Sequence, residues 1–310
     1  METSLREFSN PIRAPGFESQ ALKGRRLSVI STIAEEASSM ETDLKDRHVV
    51  VTGGSGGIGL EATRTLLEEG ALVTATYRTS ERGLTGLREK WSGKICLVQS
   101  DIRKETDVTE VFRRANEVFG RVDVLVANAG IANHVGKAIH EMSMEQWENT
   151  LAVNLTGTFL CSKHFFANLE ANPGTCASLI LIGSTAGFFG EAWYCDYSTS
   201  KAGLQGLMLS LKNEIVHLAR KGRVNLVNPG WTMTAMAEEA LNDDDMVRRI
   251  LQTVPLRKVA LVEDIANAIL FLASDKLSGH VSGQIINVAG GMEGRVLFSQ
   301  DEIDASQSRG

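Results

Sequence analysis

Ser184, Tyr197 and Lys201 are residues whose types and spacing can do chemistry together. They share one stretch, residues 183–201, which reads GSTAGFFGEAWYCDYSTSK. The phenol follows the serine by thirteen residues, and the lysine follows the phenol by four. Residues four apart lie on one face of a helix. Ser184 comes just after the apolar run 177–182, where a strand would end. A hydroxyl, a phenol and an ammonium can then surround one carbonyl. The serine would hold the oxygen, and the phenol would exchange a proton with it. A phenol titrates near pH 10, so it acts as a base at neutral pH only when a nearby positive charge favours its anion. Lys201 supplies that charge. Acid–base catalysis of this kind contributes about 10²–10⁴-fold. Asn154, inside a long helical pattern, would hold a water that links Lys201 to solvent.

A second pattern lies far upstream. The apolar run 48–51 leads into Thr52-Gly53-Gly54-Ser55-Gly56-Gly57-Ile58-Gly59, and helical periodicity follows. A glycine-rich turn between a strand and a helix lets the backbone approach a pyrophosphate, with the helix N-terminus facing the anion. Gly53, Ser55, Gly57, Ile58 and Gly59 are therefore expected to hold a dinucleotide. The end of the second strand usually carries an acidic residue for the ribose hydroxyls of NAD. Here that place holds Tyr77 followed by Arg78. A guanidinium there can pair with a 2′-phosphate, so NADP(H) is expected and NAD(H) is the alternative. Asp101 and Ile102 after the third strand are expected at the adenine. Asn128-Ala129-Gly130 after the fourth supplies small residues beside the cofactor.

These groups must be positioned by elements, and the elements alternate. Apolar, β-rich runs occur at 48–52, 72–77, 94–99, 122–127, 178–182, 223–227 and 284–288. Helical periodicity fills the gaps, notably over 58–69, 105–119, 144–171, 194–220 and 262–272. This alternation predicts an α/β fold, a doubly wound parallel sheet of seven strands with helices on both faces. The last strand closes at Val288, too late for a second core. The chain reads as an N-terminal extension over 1–43, one domain over 44–292 and a C-terminal tail over 293–310.

Composition narrows the class. The chain has 310 residues, 43% of them hydrophobic, and a net charge of −6, which gives no reason to expect nucleic acid or an anionic membrane as partner. There is no apolar run of spanning length. Cys96, Cys161, Cys176 and Cys195 lack metal or redox spacing and read as free thiols; no metal is expected. The run Asp243-Asp244-Asp245 reads as a solvated turn, and His134 as structural. The extension 1–43 is turn-rich and is expected to be flexible, with one short helix near 27–40 as the alternative. Its acidic residues argue against organelle targeting, so a cytoplasmic location is expected.

Taken together, these motifs resemble the short-chain dehydrogenase/reductase family in its compact single-domain branch. The matching residues are Thr52-Gly53-x-x-x-Gly57-Ile58-Gly59, Asn128-Ala129-Gly130, Asn154, Ser184, Tyr197-x-x-x-Lys201 and Asn228-Pro229-Gly230 followed by Thr232. The resemblance covers about residues 44–292. It implies a catalytic group of Asn154, Ser184, Tyr197 and Lys201, and a Rossmann-type fold. It also implies that Lys201 touches the nicotinamide ribose and that Pro229, Gly230 and Thr232 face the nicotinamide. One departure is Ala127, where many members carry a second asparagine. The implied substrate is a small-molecule ketone or secondary alcohol. The variable segment after Thr232, with Met233, Met236 and Met246, would form a lid. Phe188, Phe189, Trp193 and Trp231 would line an apolar pocket. A homotetramer or homodimer built on the long helices is implied as well. The competing reading is a nucleotide-binding scaffold without turnover, which has no need of the complete catalytic group.

Overall fold

In a computed structural model of the chain, residues 41–133 and 135–306 are described. Expectations for residues 1–40, including the helix near 27–40, and for His134 lie outside them. Seven strands form one sheet: β1 (His48–Val51), β2 (Leu72–Tyr77), β3 (Ile95–Gln99), β4 (Val124–Ala127), β5 (Cys176–Ile182), β6 (Lys221–Pro229) and β7 (Ile285–Val288). Their order is β3-β2-β1-β4-β5-β6-β7, and every pairing is parallel. The central strands β1, β4 and β5 are almost wholly buried because both faces are covered. The order reverses between β1 and β4, which opens a crevice at the carboxyl ends of those strands.

Two helices, α1 (Gly57–Glu68) and α10 (Val262–Ala273), cover one face through Leu66, Leu67, Ile265, Ile269 and Leu272. The other face is covered by α3 (Glu105–Phe119), α5 (Thr158–Ala171) and α7 (Cys195–Leu218), through Phe112, Phe165, Leu169, Leu204 and Met208. A further helix, α2 (Arg82–Lys90), was not expected from the sequence. It is short and polar, contains two glycines, and packs through Leu84. Near the N-terminal ends of the strands, buried Arg223 pairs with Asp275 at 2.7 Å. Arg47 joins the same carboxylate at 3.4 Å and reaches Asp123 at 3.3 Å.

The helix predicted over 144–171 is not continuous. It consists of α4 (Met144–Leu151), a π-helical turn at Ala152–Gly157, and α5. A π turn inserts one residue into the ladder and shifts the face beyond it, a change that apolar periodicity cannot register. Tertiary contacts hold it: Asn154 bonds the backbone of Ile131, and Gly157 packs against the Ile102 side chain.

After Thr232 the chain forms two short helices, α8 (Glu238–Leu241) and α9 (Asp244–Leu251). Asp243 caps α9, accepting hydrogen bonds from the amides of Asp245 and Met246, so the acidic run starts a helix. This lid has its own small core of Leu241, Val247, Ile250, Leu251, Val259 and Ile303. Ile303 comes from the segment expected as a tail. The backbone N–H of Leu297 donates to the Gln252 carbonyl, and Phe298 lies under the Arg257 guanidinium at 4.0 Å. Among the described residues, no helix is long and apolar enough to cross a membrane.

Candidate active site

Glycines close the turn after β1. Gly53 adopts φ +66°, and a Cβ there would stand 2.9 Å from the Ala129 Cα. A side chain at Gly59 would run into the carbonyl of Gly53 and the Asn128 amide. Only glycine satisfies both positions. The turn is fastened to β4 by side chains. Asn128 donates through Nδ2 to the carbonyls of Thr52 (3.0 Å) and Gly53 (3.1 Å). The Thr52 hydroxyl accepts from the amides of Asn128 and Ala129. Asn128 therefore builds the glycine turn from behind, and Thr52, which sequence reasoning left out of the site, is its second fastener. Ser55 is backed by the start of α2, where Gly83 leaves room for the Ser55 carbonyl.

At the far end of the crevice, Arg78 follows β2 and is exposed. Among the described residues its guanidinium has no ion-pair partner. Asp101 lies close enough to feel its charge, but Arg103 holds that carboxylate at 2.6 Å. The hydrogen bond from Arg103 chiefly brings the Asp101 pKa down to about 2. Arg78, Gln99, Asp101 and Lys104 share a surface hollow of about 430 Å³ with Asp107 and Glu110. The Ile102 side chain is buried beneath the π turn and faces the core, which leaves its backbone for any contact with the adenine.

The proton-handling residues converge where β5, β4 and α7 meet. Ser184 caps α6 (Thr185–Phe189), accepting from the Ala186 amide at 3.1 Å. The Ser184 hydroxyl lies close enough to the Tyr197 phenol to pull its pKa down. Asn228, in β6, accepts from the Ser184 amide at 3.1 Å and donates to Asn287. Asn228 thus fixes the serine in place, a role that its place beside Pro229 and Gly230 did not disclose. Lys201 is buried, and its ammonium donates to the Ile182 carbonyl at 2.8 Å and lies 5.8 Å from the Tyr197 ring centre. One of its three N–H donors is used this way, which leaves two for ligands.

Asn154 is fully buried and bonded at both ends of its amide. Its Oδ1 accepts from the Ile131 amide at 2.8 Å, and its Nδ2 donates to the Ile131 carbonyl and the Ser200 hydroxyl. A Cβ at Gly130 would stand 3.2 Å from both Asn154 Oδ1 and Lys201 Nζ. The Asn154 side chain fastens the loop after β4. Pro229 ends β6, and Thr232 donates to the Gly230 carbonyl at 2.9 Å, which tightens the chain as it enters the lid. Trp231 packs into the lid core, whereas Phe188, Phe189 and Trp193 lie exposed on the stretch between Ser184 and Tyr197. The four cysteines are free.

Electrostatics assign states to the two titrating groups. Burial pushes the Tyr197 phenol up, against the pull of the Ser184 hydroxyl. The ring is only half-buried, which moderates that push. The phenol is therefore protonated at neutral pH, the state of a proton donor. Burial brings Lys201 down to about 8.

The arrangement fits a dinucleotide. The glycine turn leaves backbone room at the crevice, Lys201 keeps two free donors, and Arg78 is available at the outer end. Residues 53–293 match the family described as enoyl-(acyl carrier protein) reductase. An uncharacterised oxidoreductase of Thermotoga maritima is 34% identical over 249 residues, covering 78% of this chain and 96% of its own. A 3-oxoacyl-(acyl-carrier-protein) reductase of Aquifex aeolicus is 32% identical over 256 residues, 82% of this chain and 100% of its own. A 3alpha-hydroxysteroid dehydrogenase of Mediterraneibacter gnavus is 32% identical over 251 residues, 80% of this chain and 97% of its own.

Proposed function

We propose that this chain, which belongs to the short-chain dehydrogenase/reductase family, is an NADP(H)-dependent reductase of a bulky apolar ketone that uses Tyr197 as proton donor. The family fixes the coarse assignment: an oxidoreductase working with a pyridine nucleotide. The observation that carries the finer reading is the convergence of Ser184, Tyr197 and buried Lys201 beside the β1–β4 crevice. When bound, the reduced nicotinamide supplies a hydride to the carbonyl carbon. Ser184 donates to the carbonyl oxygen and holds it within reach of Tyr197. The phenol then gives its proton to the alkoxide that forms. Lys201 stabilises the tyrosinate left behind, and the same residues run in reverse oxidise the secondary alcohol.

Arg78 supports NADP(H) over NAD(H). It is exposed, without an ion pair among the described residues, and the neighbouring Asp101 is occupied by Arg103. Replacing Arg78 with glutamate is expected to raise the Kd for NADPH on the order of 10²-fold, as loss of a charge-assisted pair does. The Kd for NADH should change less than about threefold. Fluorescence titration with both nucleotides measures this, and equal losses would refute the 2′-phosphate assignment.

The substrate class rests on the rim. Phe188 is 51% exposed, Trp193 65% and the lid residue Met236 51%. Exposed aromatic surface beside proton-transfer groups suits an apolar body attached to the carbonyl. An acyl chain and a steroid, which the names of two relatives mention, both have that character. Reduction of a panel of ketones graded in apolar size tests it; preference for small polar ketones would count against it.

Assembly is proposed from the helices. Phe159 on α5 and Leu209 and Val216 on α7 are exposed, and these two helices pack together. They form the face on which a second copy would pair. The double variant Phe159→Glu, Leu209→Glu should run at monomer mass in light scattering where the parent runs as a dimer or tetramer. A parent already at monomer mass would overturn the proposal.

A further inference from the structure

Asp196 immediately precedes Tyr197 and is wholly buried in the first turn of α7. One oxygen, Oδ2, accepts three hydrogen bonds: from Asn133 Nδ2 (2.9 Å), the Thr150 hydroxyl (2.8 Å) and Gln146 Nε2 (3.3 Å). The other oxygen, Oδ1, is buried with no hydrogen-bond partner among the described residues. The helix N-terminus favours a negative charge there, yet a buried carboxylate with an idle oxygen is a costly way to cap a helix. Its partners show what it joins. Asn133 belongs to the loop after β4, while Gln146 and Thr150 belong to α4.

That loop is stitched to the same stretch of chain at further points. Gly136 lies against the Tyr194 ring, and the Lys137 amide donates to the Trp193 carbonyl at 2.8 Å. Gly136 packs so closely that a Cβ there would stand 2.8 Å from the Trp193 Cβ. At its near end Asn154 grips both backbone groups of Ile131. The loop begins at Gly130, against Lys201.

We propose that Asp196 is a positioning residue that fastens the loop after β4 to the first turn of α7, and so fixes the wall of the substrate cleft beside Tyr197. The two grips divide the work: Asn154 holds the loop at Ile131, and Asp196 holds it two residues further on, at Asn133. With the second grip gone, the loop can swing while Gly130 stays in place. The consequence for turnover rests on the reductase reading above; the fastening itself does not.

The test uses the full chain and the variants Asp196→Ala, Asp196→Asn and Asn133→Ala. Amide hydrogen exchange over 131–137 should quicken about tenfold or more in both alanine variants, with rates in β4 and α3 unchanged. For an apolar ketone, kcat/KM should fall about tenfold or more, with the NADPH Kd within about twofold. Asp196→Asn keeps one acceptor oxygen and should recover most of both. Should Asp196→Ala fail to fold, Asn133→Ala reads the same hydrogen bond from the loop side. Unchanged exchange over 131–137 overturns the fastening, and faster exchange with unaltered kcat/KM overturns the positioning role. If the parent reduces no carbonyl, the reductase reading falls, and exchange alone decides the fastening.

Discussion

Tyr197→Phe should lower ketone turnover by about 10³-fold or more while leaving the NADPH Kd within about twofold. Ser184 pulls the Tyr197 pKa down, which puts the phenol beside the hydroxyl proposed to hold the carbonyl oxygen. A thousandfold loss corresponds to about 4 kcal/mol of transition-state stabilisation. The glycine turn, Arg78 and Lys201 are untouched by the change, so cofactor binding should survive it. Folding should survive too, because the ring stays packed and Ser184 keeps its bond from the Ala186 amide. The readouts are steady-state turnover and a parallel nucleotide titration. Turnover within tenfold of the parent would mean that another group donates the proton.

Lys201→Met should show the opposite balance, a less active but more stable protein. Burial lowers the Lys201 pKa from 10.5 to about 8, so its charged form is disfavoured inside the fold. At about 1.4 kcal/mol per pKa unit, this shift corresponds to about 3 kcal/mol of lost stability at neutral pH. Methionine fills similar space without that penalty, at the cost of one hydrogen bond to the Ile182 carbonyl. The nucleotide-free variant should therefore be more stable than the parent by about 1–3 kcal/mol in urea. The sign of the pH dependence follows from the lowered folded value. Between about 8 and 10.5 the unfolded chain binds the proton and the folded chain does not, so the parent gains stability as pH rises through that window. The variant's advantage should be full below pH 8 and fade towards 10.5. Turnover should drop at least about 10²-fold, since no charge remains to stabilise tyrosinate. A variant that is destabilised at neutral pH would show that the ammonium is a net structural asset.

The sheet was legible because its central strands are buried on both faces. Runs such as Val49–Val51 and Leu179–Ile182 carry no helical period, and helices of ordinary length separate them. The shared helix of Tyr197 and Lys201 was legible because a spacing of four on α7 survives any detail of packing. What escaped depends on contacts between distant segments. The π turn at Ala152–Gly157 changes the ladder by a single residue and is held by Ile131 and Ile102, both remote in sequence. The hold of Asn154 on the loop after β4 is likewise set by a partner outside its own helix. Asn228 and Asp196 act through partners dozens of residues away, as does the Thr52 hydroxyl at Asn128 and Ala129. The packing of 296–306 onto the lid rests on few apolar side chains, chiefly Phe298 and Ile303, too few for periodicity to reveal.

The most direct test of the assignment is rapid mixing of the NADPH-loaded chain with a bulky apolar ketone, beside an NADH-loaded sample, following loss of the reduced nicotinamide absorbance. The account expects NADPH to be consumed with stoichiometric secondary alcohol, and NADH at least about tenfold more slowly. Tight NADPH binding with no reduction of any ketone would contradict it and favour a nucleotide-binding scaffold. Faster consumption of NADH would contradict the role given to Arg78.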